Sequence, residues 1–340
     1  MTDIVQSLTD STHRAPQRPM IALEGVSKTY PKQRRPAVAE LNLAVPEGAI
    51  VMLIGPSGCG KTTTLKMMNR LIEPTTGRIL LDGEDVTDVN ADQLRRRIGY
   101  VIQQVGLFPH LSIADNIAVV PTMLGWDKRR ITSRVDELLH LVGMEPAEFR
   151  DRYPRQLSGG QQQRVGVARG LAADPSVMLM DEPFGAIDPI TRERLQDEFL
   201  EVQRQVAKTI CFVTHDLSEA VKLGDRIAVF AAGGRLAQYD TPSEVLAHPA
   251  DDFVAEFIGS GTAVRRLSLL ELRHLELEEI VTSHGGAPTV PHSGTVYDAV
   301  DVMLAAHSPL VVVVDDDGQP RGALRWDTLV SDLRTKGPPR

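Results

Sequence analysis

One short segment of the chain has the residue types and spacing that bind phosphate groups. It reads Gly55-Pro56-Ser57-Gly58-Cys59-Gly60-Lys61-Thr62, with Thr63 next, and it fits the pattern G-x-x-x-x-G-K-[ST] at every fixed position. Glycines let backbone N–H groups point at phosphate oxygens, and the following helix N-terminus adds positive potential. Lys61 would reach the β- and γ-phosphates of a nucleotide, and the Thr62 hydroxyl would hold Mg²⁺. Cys59 is either a space-filling side chain or a thiol that bound nucleotide would shield from alkylation.

Two adjacent acids follow a second apolar run. Asp181 and Glu182 come directly after Val177–Met180. Neighbouring side chains on a strand point to opposite faces, but at a strand end the chain can turn both acids toward a nucleotide. Asp181 would then assist Mg²⁺ through water, and Glu182 would be the general base for the attacking water. The alternative, a pair of solvated turn acids, is disfavoured because four apolar residues precede them.

The segments that position these residues alternate between strand-like and helix-like patterns. Short, continuous apolar runs predict strands covered on both faces, as in a largely parallel α/β sheet. The predicted strands are Ile50–Ile54, Ile79–Leu81, Ile98–Ile102, Val177–Met180, Ile210–Val213 and Ile227–Phe230. A helix is expected from about Lys61 to Leu71. Residues 104–157 form a mostly helical insertion, with predicted helices at Ile113–Leu124, Ser133–Val142 and Pro146–Tyr153.

The overall composition argues against several classes of protein. The 340 residues carry a net charge of −8, which does not favour nucleic-acid binding. No apolar run reaches the ~18 residues of a membrane-spanning helix, and residues 1–19 lack the apolar core of a signal peptide, so they predict a flexible N-terminus. Two cysteines fit a reducing compartment. We therefore expect a peripheral protein that reaches the cytoplasmic face of a membrane only through a partner.

A third segment begins a predicted helix and contains two adjacent glycines. Leu157 is followed by Ser158-Gly159-Gly160-Gln161, here called the signature segment. Ser158 is a good N-cap, and the glycines allow close backbone approach to an anion. Taken alone, the segment could be only a helix cap. With the phosphate-binding loop before it and the two adjacent acids after it, it resembles the ABC ATPase family.

That resemblance implies both a fold and a shared site. The fold would be an α/β P-loop core with a helical subdomain. Two subunits of this family sandwich two ATP molecules, and each ATP is held by the phosphate-binding loop of one subunit and the signature segment of the other. For this chain, the resemblance implies a homodimer in which each signature segment contacts the ATP of the partner.

Further positions match the family pattern one by one. Gln103 matches the glutamine that contacts Mg²⁺ and the attacking water, and His215 matches the histidine that contacts the γ-phosphate. Asp188 matches the loop that couples the two sites, and Tyr30 the aromatic residue that stacks on adenine. The implied catalytic residues are Glu182, His215 and Gln103, and the implied Mg²⁺ contacts are Thr62, Gln103 and Asp181.

Three kinds of ABC protein are compatible with these motifs. One is a transporter motor that drives a separate membrane permease. The others are soluble ABC proteins of translation, which normally carry two ATPase domains, and DNA-repair or chromosome ATPases, whose domain is interrupted by a long coiled coil. This chain has one ATPase domain, predicted at residues 20–260, and only a short helical insertion. The motor of an importer, supplied by an extracytoplasmic substrate-binding protein, is therefore the leading interpretation.

The resemblance extends to the substrate class. Gly106–His110, Phe184–Arg192 and Leu195–Phe199 look like segments of osmoprotectant importers, which carry glycine betaine, carnitine, choline or proline. After a predicted linker, 261–284, residues 285–335 resemble one CBS unit. The unit departs from the CBS pattern in two ways: such units work in pairs, and the Ser/Thr of the usual ribose-phosphate contact is replaced near Arg325. A role in sensing ionic strength, in nucleotide binding or in structure alone stays open. A polyamine or amino-acid importer and a non-transport ABC ATPase are the alternatives.

Overall fold

The computed structural model describes residues 19–102, 106–185, 187–275, 277–278 and 286–329. Within the described residues, the chain divides into two compact units, one that extends to residue 215 and includes 228–237, and the other formed by 216–227 and the residues from 238 onward. The predicted flexible N-terminus, Gln103 and part of the predicted linker lie outside the described residues. The domain limits drawn from the sequence stay predictions.

The main sheet has six strands in the order β10-β9-β3-β8-β7-β6. Their bounds are β3 Ile50–Ile54, β6 Ile98–Val101, β7 Val177–Asp181, β8 Thr209–Val213, β9 Arg226–Ala231 and β10 Arg235–Asp240. The pairs β3–β8, β7–β8 and β6–β7 are parallel. Strands β3 and β8 are buried along their whole length, as the continuous apolar runs predict for a sheet covered on both faces. The parallel α/β core is confirmed.

A second sheet of four strands has the order β2-β1-β4-β5. The strands are β1 Pro19–Lys28, β2 Val38–Pro46, β4 Thr76–Leu81 and β5 Glu84–Asp85. Strand β1 pairs antiparallel with both β2 and β4. The predicted strand Ile79–Leu81 therefore exists, but it belongs to this antiparallel sheet and not to the parallel core. In the same sheet, β1 and β2 bury residues largely in alternation, the pattern of strands with only one covered face.

Helices follow several of the strands. Their bounds are α1 Lys61–Met68, α2 Ala91–Arg95, α3 Ile113–Met123, α4 Lys128–Leu141, α5 Pro146–Phe149, α6 Gly159–Leu171 and α7 Pro189–Val206. Of these, α3, α4 and α5 lie in the predicted helical insertion. The side chains of Ser112 and Asp127 cap α3 and α4. Helix α5 ends before the predicted limit at Tyr153, because Tyr153 precedes Pro154 and is extended (φ −107°, ψ 156°).

The second unit contains α8 Leu217–Leu223, α9 Pro242–Ala247, α10 Asp252–Ile258, α11 Thr262–Leu267 and α12 Val296–Ala305. Its three-stranded sheet has the order β11-β12-β13, with bounds Thr289–Pro291, Leu310–Val314 and Pro320–Arg325. A capping box between Thr295 and Asp298 fixes the start of α12, which packs on a small core that includes Val290, Val311 and Val313. The described part of residues 285–335 thus contains a helix and three strands, and its likeness to a CBS unit stays a prediction. Within the described residues, no helix combines the length and apolarity of a membrane span.

Candidate nucleotide site

The phosphate-binding loop connects the buried strand β3 to α1. Gly55 and Gly60 have φ values of 146° and 105°, which non-glycine residues rarely adopt. A Cβ on Gly55 would lie 2.3 Å from the Phe230 carbonyl oxygen, and one on Gly60 would lie 2.5 Å from that of Ala37. No side chain caps the N-terminus of α1. The loop therefore leaves the first amides of the helix available for phosphate oxygens, as the sequence predicts.

Lys61 is the first residue of α1 and is 7% exposed. Its ammonium donates to the carbonyl oxygens of Gly55 at 2.7 Å and Pro56 at 3.0 Å, so it is held inside the loop by the loop's own backbone. Cys59 Sγ lies 3.7 Å from Lys61 Nζ, and Cys59 is only 2% exposed. The burial favours the space-filling interpretation of Cys59.

Two of the three residues predicted to contact Mg²⁺, Thr62 and Asp181, meet in the structure, and the third, Gln103, lies outside the described residues. Thr62 Oγ1 donates to Asp181 Oδ1 at 3.0 Å, which joins the start of α1 to the end of β7. Within the described residues, no cluster of three or more histidine, cysteine or acidic side chains could hold a metal ion. A hydroxyl and a carboxylate nevertheless fit Mg²⁺, because this ion is usually bound by one or two carboxylates together with substrate phosphates and water.

Burial raises the pKa of Asp181, and the repulsion of Glu182 acts in the same direction, while the hydrogen bond from Thr62 opposes both. On the neighbouring strand β6, burial together with the charge of Asp181 raises the pKa of Tyr100 to about 12. Lys61 and Lys66 lower the pKa of Asp181 by weaker charge interactions. The ionised Asp181 carboxylate is thus incompletely compensated in the free chain, and a bound cation would compensate it.

We expect Asp181→Asn to stabilise the nucleotide-free chain and to weaken Mg-ATP binding. A carboxyl whose pKa is raised by folding disfavours the folded state once pH exceeds its unfolded pKa, because the folded carboxyl must ionise at greater cost. The Tm of the variant should exceed that of the parent chain at mildly alkaline pH. The difference should shrink as pH falls and the parental carboxyl becomes protonated. Asp88→Asn, on an exposed turn, is the control. A lower Tm for Asp181→Asn at alkaline pH would contradict this electrostatic account.

Glu182 and His215 face each other where β7 and β8 end. His215 Nδ1 lies 3.3 Å from Glu182 Oε1, and the Glu182 side chain is 22% exposed. The Glu182 amide donates to the Val213 carbonyl at 2.9 Å, although its φ of 47° is unusual for a non-glycine residue. Because the chain turns sharply at Glu182, the carboxylates of Asp181 and Glu182 can lie at the same edge of the sheet. The structure therefore brings together the predicted general base, Glu182, and the histidine predicted to contact the γ-phosphate, His215.

The signature segment begins helix α6 through a capping box. Ser158 Oγ accepts from the Gln161 amide at 3.3 Å, and the Gln161 side chain accepts from the Ser158 amide at 2.9 Å. The Ser158 N-cap is thus confirmed, and Gln161 is held by its own chain. Ser158 and Gly159 are exposed. Asp188 caps α7 by accepting from Thr191 at 3.0 Å, and this hydrogen bond lowers its carboxyl pKa.

Tyr30 follows β1, in a turn that returns to the phosphate-binding loop. The Gln33 amide donates to the Tyr30 carbonyl, and Ala37 both pairs with Lys28 and supplies the carbonyl beside Gly60. Lys28 Nζ lies 5.4 Å from the centre of the Tyr30 ring. The role of Tyr30 in adenine stacking stays a prediction.

Sequence reasoning missed Lys66, which lowers the pKa of Asp181, and Tyr100, whose own pKa is raised in part by the charge of Asp181. Lys66 lies five residues after Lys61 on α1, more than one helical turn away, and its position in the sequence alone does not indicate this role. Tyr100 lies near Asp181 only because β6 pairs with β7, and no local sequence pattern reveals that order of strands.

Comparison with known proteins decides the family. Residues 38–185 match the family model described as ABC transporter. The chain is 50% identical over 310 residues to the osmoprotectant import ATP-binding protein OsmV of Salmonella typhimurium, an alignment that covers 90% of this chain and 79% of the relative. The chain belongs to the ABC transporter ATP-binding proteins.

Two further comparisons agree with that assignment. This ABC ATPase is 46% identical over 312 residues to the glycine betaine uptake system ATP-binding protein YehX of Escherichia coli, covering 92% of this chain and 99% of the relative. A dimeric post-hydrolysis structure of the ATP-binding cassette MJ0796 with ADP and Pi matches with a TM-score of 0.58 and 34% identity, covering 66% of this chain and 99% of that one. The protein is an ATP-binding and ATP-hydrolysing transport subunit with the ABC cassette fold.

Proposed function

We propose that this ABC ATPase drives an importer of quaternary-amine osmoprotectants such as glycine betaine, carnitine or choline. The observation that carries the proposal is the close similarity to osmoprotectant ATP-binding proteins along about nine-tenths of the chain, well beyond the motifs that all ABC ATPases share. The chain works at the cytoplasmic face of the membrane, bound to a separate permease that receives its substrate from an extracytoplasmic binding protein.

The chemistry is positioning together with electrostatic stabilisation. Lys61 and the loop amides neutralise charge on the β- and γ-phosphates. Thr62 and Asp181, together with the nucleotide, would hold Mg²⁺, and the ion would supply further positive charge there. Glu182 orients the attacking water and accepts its proton, and His215 lies where it can contact the γ-phosphate.

The active unit in this proposal is a homodimer. The exposed N-terminus of α6 offers the Ser158 hydroxyl and the backbone amides of the signature segment to an anion outside the chain. The anion is the γ-phosphate of ATP bound to the partner subunit. Asp188, at the start of α7, then couples the two sites.

The C-terminal unit has a separate role in this proposal. We infer that residues 285–335 form one CBS-like unit that acts mainly in structure. Arg321 Nε lies 3.1 Å from Asp315 Oδ2, and backbone amides of Gln319 and Asp317 also donate to Asp315. Asp315 and Arg321 thus bond to each other and to the backbone of a single turn, which favours a structural role over nucleotide binding.

Co-purification followed by ATPase assays tests the substrate class. The ATPase is isolated with its permease, and turnover is measured with binding protein loaded with glycine betaine, carnitine, choline, proline or spermidine. We expect the quaternary amines to stimulate turnover several-fold and spermidine to leave it unchanged. Stimulation by spermidine alone would favour a polyamine importer. Failure to recover any membrane partner would favour a non-transport ABC ATPase.

A further inference from the structure

A cavity of about 340 Å³ lies in the first unit, between the signature helix α6, helix α7 and the end of α4. Its volume is within the range of small-molecule sites, roughly 300–1,000 Å³. It is distinct from the nucleotide site, since none of the phosphate-binding loop residues lines it. The cavity is instead bounded by the two helices that begin at the signature segment and at Asp188.

One buried polar group in this cavity lacks a partner. Gln163, on α6, is 3% exposed, and its side-chain amide nitrogen has no hydrogen-bond partner in the part of the chain that the structure describes. A buried donor left unpaired is costly, so a ligand that places an oxygen there would be favoured. Gln163 therefore marks the position of a hydrogen-bond acceptor, such as a carboxylate.

The other lining groups favour a cation. Glu198 and Glu201, on α7, both line the cavity, and Arg164 is the one arginine or lysine that does so. The Arg164 guanidinium is already paired with Glu198 at 2.6 Å, which leaves the Glu201 carboxylate at the exposed edge. Arg194 also lies 3.8 Å from Glu198, so Glu201 is the lining carboxylate that has no ion-pair partner among the described residues. A positively charged group would be attracted to it.

Two aromatic rings complete the lining. Phe184 and Phe199 both line the cavity, with their ring centres 6.1 Å apart at an angle of 75°. Aromatic faces attract cations, and a quaternary ammonium suits them because it carries no N–H group that would need an acceptor. A fully methylated ammonium can therefore contact the phenyl rings and remain close to the Glu201 carboxylate.

We propose that this cavity binds a small zwitterion that combines a quaternary ammonium with a carboxylate, the chemistry of glycine betaine. The carboxylate accepts from the Gln163 amide, and the ammonium lies toward Phe184, Phe199 and Glu201. The choice of ligand class rests on the proposed transport function. The cavity would then sense the imported solute on the motor itself.

Occupancy of the cavity is expected to slow ATP hydrolysis. Phe184 is separated from the proposed general base only by Pro183, and the Gly185 amide closes this turn on the Glu182 carbonyl at 3.1 Å. The same ligand would contact α6, whose first turn contacts the ATP of the partner subunit in the proposed dimer. A bound zwitterion would therefore hold both helices in one arrangement and oppose the movements that close the composite site.

Calorimetric titration of the purified full-length chain with glycine betaine tests the proposal. We expect saturable binding with one ligand per chain. Gln163→Leu should weaken it about tenfold, the effect of losing one good hydrogen bond. Glu201→Gln, at an exposed position that should not disturb folding, should also weaken it. Asp197→Asn is the control, because Asp197 lies on the same helix but does not line the cavity. Tm values would show whether each variant is folded.

Ligand analogues separate the two halves of the site. The tert-butyl analogue of betaine, 3,3-dimethylbutanoate, keeps the carboxylate but has no positive charge; it should bind more weakly to the parent chain, and Glu201→Gln should not weaken it further. Tetramethylammonium, which lacks the carboxylate, should be insensitive to Gln163→Leu. Absence of saturable betaine binding, or binding that neither variant changes, would overturn the inference. If loaded binding protein still stimulates the permease complex, the proposed transport function stands although this site does not.

Discussion

Glu182→Gln should abolish nearly all ATP turnover while the protein still binds ATP. A glutamine keeps the size of the side chain but cannot accept the proton of the attacking water, and a positioned general base typically contributes about 10²–10⁴-fold to the rate. The contact with His215 and the backbone bond to Val213 place this carboxylate at the strand end. Loss of turnover should therefore appear in kcat, whereas the affinity for ATP should change little.

The same variant should accumulate as a closed dimer in the presence of ATP. With hydrolysis blocked, ATP stays between the phosphate-binding loop of one subunit and the signature segment of the other. Gel filtration with and without Mg-ATP measures this directly, and single-turnover assays measure the chemical step. Glu47→Gln, in an exposed turn, is the control and should behave like the parent chain. Normal hydrolysis by Glu182→Gln would rule out Glu182 as the base.

Lys61→Met should cause the largest loss of nucleotide affinity. The Lys61 ammonium is held 2.7 Å from the Gly55 carbonyl and is nearly buried, so its charge is fixed inside the loop before any phosphate arrives. A charged hydrogen bond contributes about 1.5–3 kcal/mol, which corresponds to at least about a tenfold loss of affinity. Methionine retains the apolar stem, and we therefore expect the fold to persist.

Equilibrium binding of a fluorescent ATP analogue measures this loss. Lys66→Met is the matched control, because Lys66 lies on the same helix and interacts with Asp181 but does not bond to the loop carbonyls. Its effect on affinity should be clearly smaller. Equal affinities for Lys61→Met and the parent chain, with both folded by Tm, would contradict the assigned position of the phosphates.

Much of the nucleotide site could be predicted from local sequence. The phosphate-binding loop needs glycine at Gly55 and Gly60 because the backbone there has positive φ and neighbouring carbonyls leave no space for a Cβ. The N-cap at Ser158 is equally local, since the hydroxyl bonds to an amide in the next turn. Such features depend on residues a few positions apart, and their patterns therefore appear in a single sequence.

Other features depend on long-range packing and could not be predicted in this way. Strand Ile79–Leu81 joins an antiparallel sheet because β1, far earlier in the chain, supplies its hydrogen bonds. Tyr100 approaches Asp181 only because β6 lies beside β7. The cavity around Gln163 requires the relative placement of three helices. Apolar runs predict that a segment is a strand, but they do not identify its neighbours.

Mixed dimers of two variants test the central claim, that each ATP is held by two subunits, most directly. Lys61→Met disables the phosphate-binding loop of a subunit, and Ser158→Arg obstructs its signature segment. When the two changes lie in different subunits, one composite site stays intact, and the permease complex should retain part of its ATP turnover. When both lie in the same subunit and the other is unaltered, both sites are damaged, and turnover should fall to the level of the doubly altered homodimer. Equal activity of the two arrangements would contradict the composite site.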